Sequence, residues 1–219
     1  MPIPAALRKA ARVLFKDGQH ILLIGDSITD CGRREENAPY GNGYVSLLRA
    51  FTTARHPEVR LTWTNRGNSG NTVRHLAQRW DTDALAPRPD WLSVMIGIND
   101  VWRAFDGHPQ NAVPLDEFVE TLRGLLRRAV EETGCRLILA DPYVIEPDRE
   151  EPQRATSDRY AAAVAGLAEE FDAVHIATQR VFDHAMRCTR SEDWSHDRIH
   201  PNLAGHALIA DVFLSAIEL

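Results

Sequence analysis

The stretch His20-Ile-Leu-Leu-Ile-Gly-Asp-Ser-Ile-Thr-Asp30 decides the fold. From His20 to Ile24 it is an apolar run that reads as a strand of a parallel sheet, buried on both faces. Gly25 permits a sharp turn, and Asp26-Ser27 then falls at the strand's carboxyl end, where open α/β sheets bind their ligands. A serine there presents its hydroxyl to a cleft, and its backbone N–H points at an anion if a helix starts next. Taken alone, the segment reads equally well as an ordinary βα turn, so the rest of the chain must decide.

Working outward, the pattern repeats. Residues 33–42 are polar and hold Pro39 and Gly41, which is loop chemistry. Tyr44, Val45, Leu47, Leu48 and Phe51 recur at helical spacing, with an end near His56-Pro57. A strand is expected over Arg60–Thr64, then a polar glycine-rich loop, Asn65 to Thr72, then a helix from Val73 that stops before Pro87. Trp91 to Ile96 is a third strand, closed by Gly97-Ile-Asn-Asp100, and 101–114 is a long loop. A helix over Leu115–Thr133 ends at Gly134, and Arg136–Ala140 is a fourth strand. Helix 154–171, a short strand Val174–Ile176, a helix over 178–190, a polar loop 191–201 and a last helix capped near Asn202 complete the chain. Strands alternating with helices predict one parallel sheet with helices on both faces. Nothing in the composition divides the domain, which is expected over 20–219. Residues 1–19 read as an amphipathic N-terminal helical extension.

Composition narrows the function. At 44% hydrophobic and 26% charged, the 219 residues are ordinary for a globular protein, and a net charge of −6 argues against nucleic acid as partner. Cys31, Cys135 and Cys188 are odd in number and widely spaced, which fits reduced thiols better than a disulfide framework or a zinc site. No apolar run is long enough to span a membrane, and Arg8, Lys9, Arg12 and Lys16 interrupt any secretory signal. A cytoplasmic protein is the expectation.

The polar motifs after the first three strands, Asp26-Ser27, Asn65 to Thr72 and Gly97 to Asp100, must share one edge of a parallel sheet. Asp197-Arg-Ile-His200 precedes the last helix and needs only to fold over that edge. Three positions apart, Asp197 can accept from Nδ1–H of His200, which fixes the tautomer and leaves Nε2 to take a proton from Ser27. A free serine hydroxyl is a poor nucleophile, and a neighbouring base makes it usable. Backbone N–H groups of Ser27 and Gly70 and the side-chain amide of Asn99 are the candidate donors for a developing oxyanion, each worth about 3 kcal/mol in enzymes where one has been removed. Each motif alone also has a structural reading, as turn, cap or surface histidine. Their conjunction on one edge favours catalysis.

These residues resemble the SGNH (GDSL) hydrolase superfamily. Gly25-Asp-Ser-Ile-Thr29 matches its nucleophile block, Asn65-Arg-Gly-Asn-Ser-Gly70 its glycine block, Gly97-Ile-Asn-Asp100 its asparagine block and Asp197-Arg-Ile-His200 its acid–base block, in order across almost the whole chain. The resemblance implies a three-layer α/β/α sandwich, flavodoxin-like, on a five-stranded parallel sheet, with no metal and no organic cofactor. It implies catalytic Ser27, Asp197 and His200, with Ser27, Gly70 and Asn99 as the oxyanion hole. Within the superfamily, Gly25 to Arg33, Ser69 to Arg74, Met95 to Arg103 and His200-Pro201 with Ala204-Gly-His206 resemble the intracellular acetylxylan esterases of bacteria. That implies removal of acetyl groups from xylo-oligosaccharides, by a homo-oligomer. One departure is that His196, not an aromatic, directly precedes Asp197, with Trp194 two residues earlier. Asp26, Trp102, Arg103 and Trp194 are the residues expected to bind substrate, the tryptophans by stacking on a sugar ring.

Other readings make different predictions. An esterase or lysophospholipase of lipid-like esters calls for an apolar lid, which the chain lacks. A divalent metal site would draw on His184, His196, Asp197, His200 and His206, and leaves Ser27, Gly70 and Asn99 unexplained. A non-catalytic carbohydrate-binding module would have no use for the serine, histidine and aspartate together.

Overall fold

The computed structural model describes residues 13–35 and 37–217. Five strands form one parallel sheet: β1 (His20–Gly25), β2 (Thr62–Gly67), β3 (Trp91–Met95), β4 (Arg136–Ala140) and β5 (Val174–Ile176). Their order is β2-β1-β3-β4-β5, the flavodoxin-like arrangement. The helices are α1 (Ser27–Asp30), α2 (Tyr44–Arg55), α3 (Val73–Trp80), α4 (Ile98–Trp102), α5 (Leu115–Thr133), α6 (Pro152–Glu170), α7 (Thr178–Ala185) and α8 (Leu203–Ile217).

Alternation along β1 builds the three layers. Ile21 and Leu23 face a core shared with Tyr44 and Leu48 of α2, Phe182 of α7 and Ile209 and Phe213 of α8. Leu22 and Ile24 face the opposite core, with Leu76 and Trp80 of α3, Phe118, Leu122 and Leu126 of α5 and Val164 of α6. Both faces of β1 are apolar because both are covered, which is why the strand reads as a continuous run.

Because the chain crosses from β1 to β2 on one side and then to β3 on the other, the connections that leave β1 and β3 at their carboxyl ends run in opposite directions, although the strands stay paired through Gly25 and Met95. That switch point is the crevice of the fold. Two glycines let the backbone close around it. A Cβ on Gly25 would sit 2.3 Å from the Met95 carbonyl oxygen, and one on Gly67 would sit 2.1 Å from the Asp30 nitrogen.

Several boundaries differ from the sequence reading. β2 runs two to three residues later than expected, through Asn65, Arg66 and Gly67, because the Asn65 side chain serves the neighbouring loops and so reads as loop chemistry. Helix α7 stops at Ala185 rather than Arg190. The start of the 101–114 loop belongs to α4, and a turn of 3-10 helix sits at Pro109–Asn111. Of the expected N-terminal helix, residues 1–12 lie outside the described residues. Residues 13–19 are a bridge, a bend and a turn, with the Leu14 N–H donating to the Ile217 carbonyl (2.8 Å) and Phe15 set edge-on against Trp63 and Trp91.

Candidate active site

The switch-point crevice begins with Asp26. Its carboxylate accepts from the Ile28 N–H (3.0 Å) and caps the four-residue helix α1. Ser27 is therefore the first residue of that helix, and its N–H is among the initial donors that a helix leaves unpaired. The helix ends at Cys31, which adopts a left-handed conformation (φ 45°).

Ser27 Oγ lies 2.9 Å from Nε2 of His200. On the other side of the ring, Nδ1 lies 2.6 Å from Oδ2 of Asp197. The second carboxylate oxygen, Oδ1, accepts from the backbone N–H groups of Ile199 (2.9 Å) and His200 (2.8 Å). Ser195 Oγ stands 2.9 Å from the same oxygen and 2.8 Å from the His200 carbonyl, one hydroxyl facing two acceptors. Partial burial alone would raise the Asp197 carboxyl. The hydrogen bonds from the His200 ring, from the two backbone N–H groups and from Ser195 outweigh it and hold the group well below the usual carboxylate range. An ionised carboxylate only accepts, so Nδ1 carries the ring proton and Nε2 is free to accept from Ser27. Ser195 is a supporting residue that sequence reasoning missed; a serine two positions before the acid carries no signal without the turn that folds it back.

The glycine loop is fixed from below. Asp30 Oδ2 accepts from the Ser69 N–H and the Ser69 hydroxyl, both at 3.1 Å, and from Arg34. Asn65 donates to the carbonyls of Thr29 and Tyr40 and accepts from the Gly67 N–H. Gly70 follows with φ +78°, a left-handed conformation that suits glycine. Arg79 reaches up from α3 to the Gly25 and Arg66 carbonyls and to Asn71 Oδ1, tying β1, β2 and the loop to one guanidinium. Asn99, buried in α4, donates from Nδ2 to the Asn71 carbonyl (3.0 Å). Serine, glycine loop and asparagine are thus held by one network, of which Arg79 and Asp30 were invisible as site residues in the sequence.

Two acids beneath the crevice are buried. Asp100 Oδ1 accepts from the Val73 N–H (2.9 Å), while the second oxygens of both Asp26 and Asp100 have no hydrogen-bond partner. Burial pushes each carboxyl up to about 7, against the lowering effect of the N–H each one accepts.

The expected substrate residues separate. The Trp102 ring meets the His200 ring edge-on, with centroids 6.0 Å apart. Arg103 lies over Trp102 (5.7 Å), bonds Asp106 through Nη1 (2.7 Å) and brings Nη2 beside Gly70. Asp26 does not join them: it is 1% exposed and serves as the cap beneath Ser27. Nor does Trp194, whose indole N–H goes to Thr189 (2.7 Å) and whose ring stands edge-on to Phe182, beside α8 rather than at the crevice. The five residues of the metal reading do not converge either. His206 is engaged with Cys31 (3.1 Å) and the Tyr44 N–H, and among the described residues no three His, Cys, Asp or Glu side chains could hold an ion together.

A serine in reach of a histidine that is oriented by an ionised carboxylate, in the crevice of an open parallel sheet, is the geometry of a serine hydrolase. The chain belongs to the GDSL-like lipase/acylhydrolase family, whose model it matches over residues 23–208, and it is a carboxylic ester hydrolase. It is 40% identical over 207 residues to an acetylxylan esterase of Geobacillus stearothermophilus, covering 91% of this chain and 94% of that protein. The crystal structure of that organism's acetylxylan esterase Axe2 superposes with a TM-score of 0.89 at 39% identity, covering 92% of this chain and 95% of that one. LAE5, an alpha/beta hydrolase enzyme from the metagenome of Lake Arreo, Spain, superposes with a TM-score of 0.90 at 42% identity, covering 94% and 98%.

Proposed function

We propose that the protein removes acetyl groups from acetylated xylo-oligosaccharides through an acyl-enzyme on Ser27. The observation that carries this reading is the hydrogen-bonded line Ser27–His200–Asp197 at the switch point; the likeness to acetylxylan esterases supplies the substrate class.

Ser27 Oγ attacks the acetyl carbonyl carbon while its proton passes to His200 Nε2. The ring becomes an imidazolium, which Asp197, held ionised by its donors, stabilises without taking the proton. The carbonyl oxygen gathers negative charge and is received by the N–H groups of Ser27 and Gly70 and the amide of Asn99. The tetrahedral intermediate collapses, the bond from carbon to the sugar oxygen breaks, and Nε2 protonates that oxygen. Water then attacks the acetyl-serine, giving one proton to Nε2; the bond from carbon to Ser27 Oγ breaks as Oγ takes that proton back, and acetic acid leaves, losing its remaining proton to solvent to become acetate. The edge-on contact of the Trp102 and His200 rings supports Trp102 as the residue that faces the sugar at the departing oxygen.

We place the protein in the cytoplasm on its three unpaired cysteines, as for a reducing compartment. We expect it to assemble as a homo-oligomer. Among the described residues no helix is long and apolar enough to cross a membrane.

The test is the initial rate on acetylated xylo-oligosaccharide beside acetyl and octanoyl nitrophenyl esters, for the wild type and Ser27→Ala. Acetyl preference with xyloside turnover, falling at least about 10⁴-fold in the variant, is expected. Octanoyl preference would keep the mechanism and reassign the substrate to lipid-like esters. Full activity in Ser27→Ala would refute the mechanism.

A further inference from the structure

We propose that the cavity adjoining Gly70 binds the sugar units next to the acetylated one, so that the enzyme reads an oligosaccharide rather than a single sugar. The inference rests on the deacetylation reading and goes beyond it by assigning a second binding region.

The cavity holds about 580 Å³ and takes in Gly70, Arg74, Gln78, Arg103, His108 and Asn111. An acetyl group cannot fill such a space, which falls in the range of clefts that bury whole ligands, about 300–1,000 Å³. Its walls disfavour two ligand classes. An acyl chain would find few apolar partners, since the side chains named, with Thr72 and His75 beside them, are polar. There is no net charge for a polyanion either. Arg74 is matched by Glu117 through two bonds of 2.5 and 2.6 Å, and Arg103 by Asp106. Such pairing leaves each guanidinium rigid and locally neutralised, with N–H groups to spare. The amides of Gln78 and Asn111 both donate and accept. Fixed donors mixed with acceptors, without net charge, suit the hydroxyls of a neutral sugar.

The path from the reacting ester leads there. The departing sugar oxygen must come within reach of His200 Nε2 to be protonated. Trp102 stands against that ring, Arg103 lies over Trp102, and Arg103 Nη2 is 3.7 Å from where a Cβ on Gly70 would sit. A chain running from the leaving oxygen across Trp102 and Arg103 enters the cavity.

The experiment compares kcat/KM on monoacetylated xylose, xylobiose and xylotriose, with nitrophenyl acetate as a sugar-free reference, in the wild type, Arg74→Gln and Asn111→Ala. The wild-type value should climb roughly tenfold or more with chain length, the equivalent of one or two hydrogen bonds. In both variants that gradient should flatten to within about threefold, through KM for xylotriose rather than kcat. A flat wild-type gradient, or gradients untouched in both variants, would overturn the proposal while leaving deacetylation standing. A wild type that cleaves nitrophenyl acetate but no acetylated xyloside would overturn the deacetylation reading and this one with it.

Discussion

The carboxyl edge of the sheet carries two aspartate–histidine pairs of the same length. In one, Asp197 Oδ2 lies 2.6 Å from His200 Nδ1; in the other, Asp141 Oδ1, just past β4, lies 2.6 Å from Nε2 of His175 within β5. Their surroundings differ. Asp197 is half exposed and collects two backbone N–H groups and a hydroxyl, which hold it ionised. Asp141 is buried, and burial raises its carboxyl despite the His175 hydrogen bond. Only His200 offers its remaining nitrogen to a serine. A short Asp–His contact is therefore no active site by itself. The donors around the acid decide whether it can support an imidazolium, and those donors come from the turn at 195–200, not from the pair.

The largest expected effect breaks the two pairs apart. Asp197→Asn should lower kcat on acetyl esters by about 10³–10⁴-fold, because an amide cannot hold the histidine in the required tautomer. Asp141→Asn should leave kcat/KM within about twofold, since no shared partner links it to Ser27. Comparable losses in both would show that the far pair takes part in the chemistry. A smaller effect is expected at Asn99, the amide proposed to receive the oxyanion. Asn99→Ala should cost about 10²–10³ in kcat with little change in KM, read from steady-state kinetics. A change in KM alone would make Asn99 a ground-state contact.

The smallest effect sharpens the link between burial and charge. The Asp100 carboxyl is raised to about 7 when folded, against an ordinary value near 4. A carboxyl raised by folding adds stability while it stays protonated. That contribution is complete below about pH 4 and is lost as pH rises from about 4 to 7. Asp100→Asn keeps an oxygen for the Val73 N–H and removes the loss. Denaturant unfolding at pH 4.5 and pH 8 should show the variant gaining on the wild type by on the order of 3 kcal/mol between the two. An unchanged difference would mean that the acid is not buried as a charge at pH 8.

How legible the molecule is from sequence follows the range of the forces involved. β1, β3, β4, α5 and the span of β5 were readable because burial on two faces leaves a continuous apolar run and burial on one face leaves a period. β2 was misplaced because Asn65 and Arg66 stay polar while lying in a strand. The one-turn helices α1 and α4 are too short to show a period, and the capping Asp26 looked like a residue awaiting substrate. Ser27, His200 and Asp197 meet in the structure because their motifs flank a common edge. Of the supports missed, Arg79, on the Gly25 and Arg66 carbonyls and Asn71 Oδ1, and Asp30, on Ser69, act between segments distant in sequence, and Ser195 depends on the turn that folds it back. Trp194 turns toward Phe182 and Thr189, because position next to a motif says nothing about which way a turn sends a ring.

Ser27 and His200 are 173 positions apart, so the nucleophile is made early and its base almost last. Through most of its synthesis the chain carries a serine with nothing to activate it. The hydroxyl becomes reactive only once residues 195–200 have folded into the turn that steadies Asp197. Ester cleavage is thus a reporter of completion: a chain truncated before that turn already contains the residues of all five strands, yet it has no base with which to start the reaction.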